Sequence, residues 1–184
     1  TVSIPSVGVY IDEASITKSN IVINNIISGS DGILIFRSDL NIIENNTIIH
    51  TTDTISEAYG IFVIAALFNS ISNNKIILKN SGQKHGILFD DSAVAYSKII
   101  KNNITINSGI AAISLTRRTS SLIIANNTIT INSNNAAGIL FAGNHTNVSI
   151  SGMSIISNGT SSPAINISGN YVNFTIKDSI INSI

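Results

Sequence analysis

The chain has 184 residues, ten basic and ten acidic side chains, zero formal net charge and no cysteine. Without a Lys/Arg run or stripe, nucleic acid is not an expected partner. Without cysteine there is neither a disulfide framework nor a thiolate metal site, and no apolar run reaches the roughly 18 residues of a membrane span. Isoleucine (40 residues) and asparagine (25) dominate what remains. A β-branched apolar residue favours strands, and asparagine favours turns, so the pair reads as short strands separated by tight turns.

Taken in chain order, seven segments begin on a small residue and continue with alternating apolar ones. They are Gly8–Ile11, Gly32–Ile35, Gly60–Val63, Gly86–Phe89, Ala112–Leu115, Gly138–Phe141 and Ala164–Ile167, at offsets of 24, 28, 26, 26, 26 and 26. A second apolar column follows at Val22, Ile43, Ile71, Ile99, Ile124, Ile150 and Ile176. Three residues on stand Asn25, Asn46, Asn74, Asn102, Asn127, Met153 and Ser179. Two residues later a third column holds Ile27, Ile48, Ile76, Ile104, Ile129, Ile155 and Ile181, without exception.

Such self-similarity marks a repeat architecture. Three strands of three to five residues cannot pair within one coil, but they can pair with their equivalents about 4.8 Å above and below. An antiparallel sandwich also has short strands and turns, yet does not require like residues at a constant period. The expected fold is therefore all-β: a right-handed, single-stranded parallel β-helix of about seven coils of about 26 residues, with residues 1–184 forming one domain. The asparagine column is expected to form a coil-to-coil ladder, each asparagine in the left-handed region. The small residue opening each first strand is expected to permit a sharp corner.

The pattern G-I-x-[ILF], then I-x-x-N-x-I after about eight residues, resembles the NosD-like right-handed β-helix repeat over essentially residues 8–184. That repeat occurs in periplasmic copper-loading proteins, pectate-lyase-like enzymes and adhesin-like surface proteins of bacteria and archaea. The resemblance implies the fold strongly and the function weakly, because the matching positions are core and turn positions. It also implies where enzymes of this fold place their carboxylates and bases: on one outer sheet face, beside long loops.

Here the best such column is Glu13, Arg37, Ala65, Asp91, Arg117, Gly143 and Gly169. A lyase-like groove would use its acids to hold a cation and its arginines to take or stabilise charge. The expected reading is instead two cross-strand ion pairs, Glu13–Arg37 and Asp91–Arg117, on a solvated face, since Ala65 interrupts the column and the connections are short. His50, His85 and His145 fall in different coils, on expected loops or corners, and do not suggest a metal centre. Neither metal nor cofactor is expected, and Tyr10, Phe62, Tyr96 and Tyr171 look scattered. Eight sequons begin at Asn45, Asn103, Asn126, Asn144, Asn147, Asn158, Asn166 and Asn173. Asn144, Asn147 and Asn158 are expected in connections, where glycosylation is sterically possible; those beside the asparagine ladder are expected to be less accessible.

With no initiator Met, no leader and no capping element, the chain reads as a mature product or a piece of a longer solenoid. Residues 1–91 carry nine acids and five bases, net −4, and residues 92–184 one acid and five bases, net +4. Head-to-tail self-association, or flanking coils of the same polypeptide, is the expected partnership, and surface glycans are a further candidate. The expected function is a non-catalytic structural or adhesive element at an extracellular surface, with a carbohydrate-active enzyme as the rival reading.

Overall fold

The computed structural model describes residues 7–12, 20–29, 31–50, 57–79, 82–90 and 94–183. Its 21 strands, among these residues, stack into three walls of a prism, and every pairing between them is parallel. The first wall comprises β1 (Val7–Asp12), β4 (Asp31–Phe36), β7 (Ala58–Ile64), β10 (Lys84–Asp90), β14 (Ala111–Leu115) and the opening halves of β18 (Ala137–Ser151) and β20 (Ile165–Lys177). The second comprises β2 (Ile21–Ile23), β5 (Ile42–Glu44), β8 (Ser70–Ser72), β12 (Lys98–Ile100), β16 (Ile123–Ala125) and the closing halves of β18 and β20. The third comprises β3 (Ile26–Gly29), β6 (Thr47–His50), β9 (Lys75–Leu78), β13 (Asn103–Ile106), β17 (Thr128–Ile131), β19 (Ser154–Ser157) and β21 (Ile180–Ser183). Seven rungs thus bound six turns. Two short strands, β11 (Val94–Ala95) and β15 (Thr119–Ser120), thicken the corner between the first two walls. That corner becomes continuous strand in β18 and β20, which joins those walls into one sheet.

The register is the one the isoleucine columns imply. Ile33, Ile61, Ile87, Ile113, Ile139 and Ile165 pair in succession along the first wall. Ile43, Ile71, Ile99 and Ile124 do so along the second, and Ile48, Ile76, Ile104 and Ile129 along the third. All are 0–2% exposed, apart from Ile165 in the last rung, which is half-buried. Burying an isoleucine side chain stabilises by roughly 1.5–3 kcal/mol, so the columns supply most of the driving force.

Two local expectations are corrected. The small residues opening the first-wall strands do not turn a corner: Gly32, Gly60 and Gly86 lie outside the left-handed region, and the pairing steps over them, from His85↔Tyr59 to Ile87↔Ile61. They are small because successive coils nearly touch there. A Cβ on Gly32 would lie 2.1 Å from the Gly60 carbonyl oxygen and 2.7 Å from Ile48 Cγ2.

The ladder asparagines are not the left-handed residues either. The positive φ belongs to the residue before each: Asn24, Asn45, Asn73, Lys101 and Asn126, at 54–60°. This frees the ladder side chain to point inward. Asn74 Oδ1 accepts from the backbone N–H (2.9 Å) and Nδ2 (3.0 Å) of Asn46, while Asn74 Nδ2 donates to Ile43 O (2.9 Å) and Asn102 Oδ1 (3.0 Å). Asn102 and Asn127 repeat the pattern, with Asn25 and Asn46 before them. From Asn46 to Asn127 each amide thus ties three coils, and its oxygen satisfies a turn N–H of the preceding coil that would otherwise be orphaned.

A second buried file stands five residues earlier, at the corner between first and second walls. Asn20 Nδ2 donates to Asn41 Oδ1, and Asn41 Nδ2 to Asn69 Oδ1, each at 2.8 Å; Asn69 N–H donates to Ser97 Oγ at 3.1 Å. Beyond Ser97 the position turns apolar, as Leu122 and Val148, both 1% exposed.

Candidate functional site

The solvent side of the first wall gathers the polar chemistry of the molecule. Glu13 and Asp91, two members of the expected charge column, lie outside the described residues. Arg37 leaves β4 at φ 50° and sets its guanidinium 4.7 Å from the centroid of the Phe36 ring, a cation–π contact at a wet surface. Among the described residues, Arg117 meets Asp90. Arg117 Nε lies 3.2 Å from Asp90 Oδ1, and Thr116 Oγ1 donates to the same oxygen at 2.8 Å. Asp90 ends β10 on the outer pleat, directly below Thr116, the residue before Arg117. Arg117 is 69% exposed, so the pair contributes roughly 0–1 kcal/mol.

One and two rungs below Arg117 the same face carries a cluster that charge spacing does not reveal. The Tyr59 hydroxyl donates to Glu57 Oε2 at 2.5 Å, and the Tyr59 backbone N–H donates to Asp31 Oδ1 at 3.1 Å. The Tyr59 ring stacks on His85 (centroids 5.9 Å, 18°) and packs 4.3 Å from Phe62. His85 Nδ1 lies 2.6 Å from Ser114 Oγ. Burial dominates the electrostatics. It lowers the His85 pKa to about 4, against the opposing charges of Glu57 and Asp90, and so holds the imidazole neutral. It raises Asp31, against the hydrogen bond from Tyr59 N–H, and it raises the Tyr59 phenol, with the nearby carboxylates adding to the effect.

The arrangement offers hydrogen bonds rather than a nucleophile. Ser114 is fully buried, so its hydroxyl serves the imidazole and is not presented to a substrate. A crevice beside the cluster, lined in part by Asp31, His50 and Tyr59, encloses no space that would admit even a water molecule, far short of a ligand pocket. Glu57, Tyr59, Asp90, Thr116 and Arg117 nevertheless present acceptors, donors and ring edges over three neighbouring rungs.

All three histidines lie in strands, not in loops: His50 in β6, His85 in β10 and His145 in β18, each at most 6% exposed. His85 and His145 are covered where a hydroxyl one coil away meets the imidazole. His145 Nδ1 lies 2.7 Å from Thr119 Oγ1, its ring stacks on Tyr171 (5.5 Å), and burial lowers its pKa to about 4. Among the described residues, no three His, Cys, Asp or Glu side chains are placed to share a metal ion.

The aromatic residues are not scattered. Phe62 meets Tyr59, Tyr171 joins Phe141, His145 and Phe174, and Tyr96 stacks on Phe68 at 5.0 Å and 11°. Phe68 and Tyr96 occupy left-handed corner positions with about half of their surface exposed. Rungs the sequence separates by about 26 residues are stacking neighbours, which is why these contacts escape linear inspection.

The sequons are also placed differently. Asn144 and Asn147 lie within β18, not in a connection, with Asn144 paired to Asn170. Asn158 lies between β19 and β20, and its Nδ2 donates to Asn132 Oδ1 at 2.9 Å. Asn45, Asn103 and Asn126, beside the buried ladder, are exposed, contrary to expectation.

A family model described as a right-handed β-helix region matches residues 5–129. No curated protein and no solved structure matches the chain.

Proposed function

This chain belongs to the right-handed β-helix family, and we propose that it serves as a non-catalytic structural or adhesive element at an extracellular surface. The carrying observation is the internal architecture. Three apolar columns and two buried amide files run along one axis, and the ladder amides from Asn46 to Asn102 bond to the coils above and below them. Such a body resists bending and local opening, as a stalk or envelope element must, while its outer faces remain free to vary. The reading predicts that antibodies or protease applied to intact cells reach the chain, and that purified particles appear as rods. Recovery of the chain only from the cytosol would sink it.

Exposed apolar side chains on the last rung support the same reading. In the last rung Ile167, Ile176 and Ile181 are 41–46% exposed, whereas their equivalents one coil earlier, Phe141, Ile150 and Ile155, are fully buried. A further rung stacked there, from flanking coils or from a second copy, would bury them. Sedimentation across concentration, with Ile181→Lys alongside, separates self-association from continuation within one polypeptide.

The carbohydrate-active reading is favoured by a specific feature: Glu57, Tyr59, His85, Asp90 and Arg117 share one face. It predicts release of reducing or unsaturated ends from acidic polysaccharides, abolished by Arg117→Ala or Tyr59→Phe. Absence of turnover in both the parent and the variants leaves the structural reading in place.

A further inference from the structure

We infer that the corner between the second and third walls is a row of N-glycosylation sites at Asn45, Asn103 and Asn126. The inference rests on the surface reading, since only an exported chain meets the glycan transferase. The reason lies in how the turn divides its asparagines. Each ladder asparagine is followed two residues later by an interior isoleucine: Ile48 after Asn46, Ile76 after Asn74, Ile104 after Asn102 and Ile129 after Asn127. The fold therefore excludes a hydroxyl at the position where an N-x-S/T acceptor needs one, and no ladder asparagine can be a sequon. The residues on either side are released from that constraint. Asn45 and Asn126 precede the ladder in the left-handed region, and Asn103 follows it. Their hydroxyl partners, Thr47, Thr105 and Thr128, occupy outer-face positions of β6, β13 and β17. Acceptor amide and hydroxyl are thus delivered together to the solvent side of one edge, and all three asparagines are exposed.

The remaining sequons are less well disposed. The acceptor nitrogens of Asn158 and Asn173 donate to Asn132 and Asn147, each at 2.9 Å. Asn144 and Asn147 lie mid-strand, in β18, and Asn166 lies in β20 on the outer face of the first wall. On the corner, Asn45 and Asn126 stand three rungs apart, about 14 Å at 4.8 Å per rung, with Asn103 in the rung just before Asn126. Chemically, each Asn Nδ2 loses one proton and bonds to C1 of a saccharide carried on a polyprenyl phosphate or diphosphate. The bond from C1 to the phosphate oxygen breaks, and the lipid phosphate leaves with its electron pair. No backbone has to open for the glycan to leave the corner, and the polar face of the first wall around Tyr59 and His85 stays uncovered.

The test uses the full chain purified from its native cells, with surface exposure established first by labelling intact cells. Intact mass and peptide maps are compared for the parent, for Thr47→Ala, Thr105→Ala and Thr128→Ala, and for the three Thr→Ser counterparts. The expected result is loss of one glycan-sized mass in each alanine variant and its retention in each serine variant, with unchanged thermal melts. Surface-labelled protein whose Asn45, Asn103 and Asn126 peptides carry no added mass overturns the inference and leaves the surface reading standing. Alanine variants that keep the full mass overturn it as well. A chain confined to the cytosol overturns the surface reading and the glycan row together.

Discussion

Two files of asparagine run along the axis with the same bond lengths and opposite surroundings. In the inner file, Asn74 Nδ2 donates to Asn102 Oδ1 at 3.0 Å, with both residues 1% exposed. In the outer file, Asn132 Nδ2 donates to Asn107 Oδ1 at 2.9 Å, and Asn158 to Asn132 at the same distance, all of them exposed. The inner amides also hold backbone groups of the neighbouring coils, whereas the outer ones exchange a water bond for a protein bond. Distance therefore says little about worth. Burial decides it, because an inner partner left alone has no water to turn to.

The sharpest way to break the inner file is a charge. Asn102→Asp keeps the acceptor that Asn74 uses but loses the donor to Ile71 O and Asn127 Oδ1, and turns a carboxylate toward both. A loss on the order of 4 kcal/mol is expected at pH 7. Such a carboxyl has a raised folded-state pKa, so the loss is present at neutral pH and shrinks as pH falls through that value. Urea unfolding at pH 7 and pH 4, each referenced to the parent, reads both; an equal loss at the two pH values would refute the buried charge.

Removing an inner amide comes next. Asn74→Ala deletes four hydrogen bonds and strands the Asn46 N–H in the interior, with an expected loss of about 2–4 kcal/mol. The left-handed residue, Asn73, is untouched, so backbone strain contributes nothing to that figure. A melt unchanged within error would show that the file is ornamental.

The buried imidazoles offer a milder contrast, since unlike the amides they can ionise. His85 and His145 have folded-state pKa values lowered to about 4, against about 6.5 when unfolded. Above pH 6.5 both states are neutral and nothing changes. As pH falls from 6.5 toward 4, the unfolded chain takes up protons that the folded one refuses, and stability drops by on the order of 2–3 kcal/mol per imidazole. Asp31, whose pKa is raised, acts in the opposite direction and tempers the fall. Melting temperatures across this range should decline in the parent and decline less in His145→Gln; a flat parent profile would contradict the burial.

The smallest effect is expected in the outer file. Asn132→Ala leaves its partners in water and should cost no more than about 0.5 kcal/mol. A loss as large as that of Asn74→Ala would erase the distinction between the two files.

Much of this was legible in the linear pattern. The columns through Ile33, Ile43 and Ile48 set the register correctly because a one-residue slip would turn every isoleucine to solvent. The ladder was legible too, but its left-handed partner was misplaced by one residue. In Asn24-Asn25, Asn45-Asn46, Asn73-Asn74 and Asn126-Asn127, either residue suits the left-handed region. Only Lys101-Asn102 distinguishes them, with lysine at the position that varies. The other buried file, Asn20, Asn41 and Asn69 at the corner between the first and second walls, passed unnoticed because it gives way to Ser97 and then to Leu122 and Val148.

The candidate site was least visible. Counting along the column did not single out Asp90, which the outer pleat brings beside Arg117. Tyr59, His85 and Ser114 lie 26 and 29 residues apart in succession, so no local motif connects them. By itself the sequence determined the repeat, the three apolar columns and the inner ladder, because each depends on identity at a constant period. Only the tertiary structure decided which polar side chains face water and which hydroxyl meets which imidazole. Those depend on the pleat, the corner geometry and the neighbour one coil away, none of which is encoded by a residue's own surroundings along the chain.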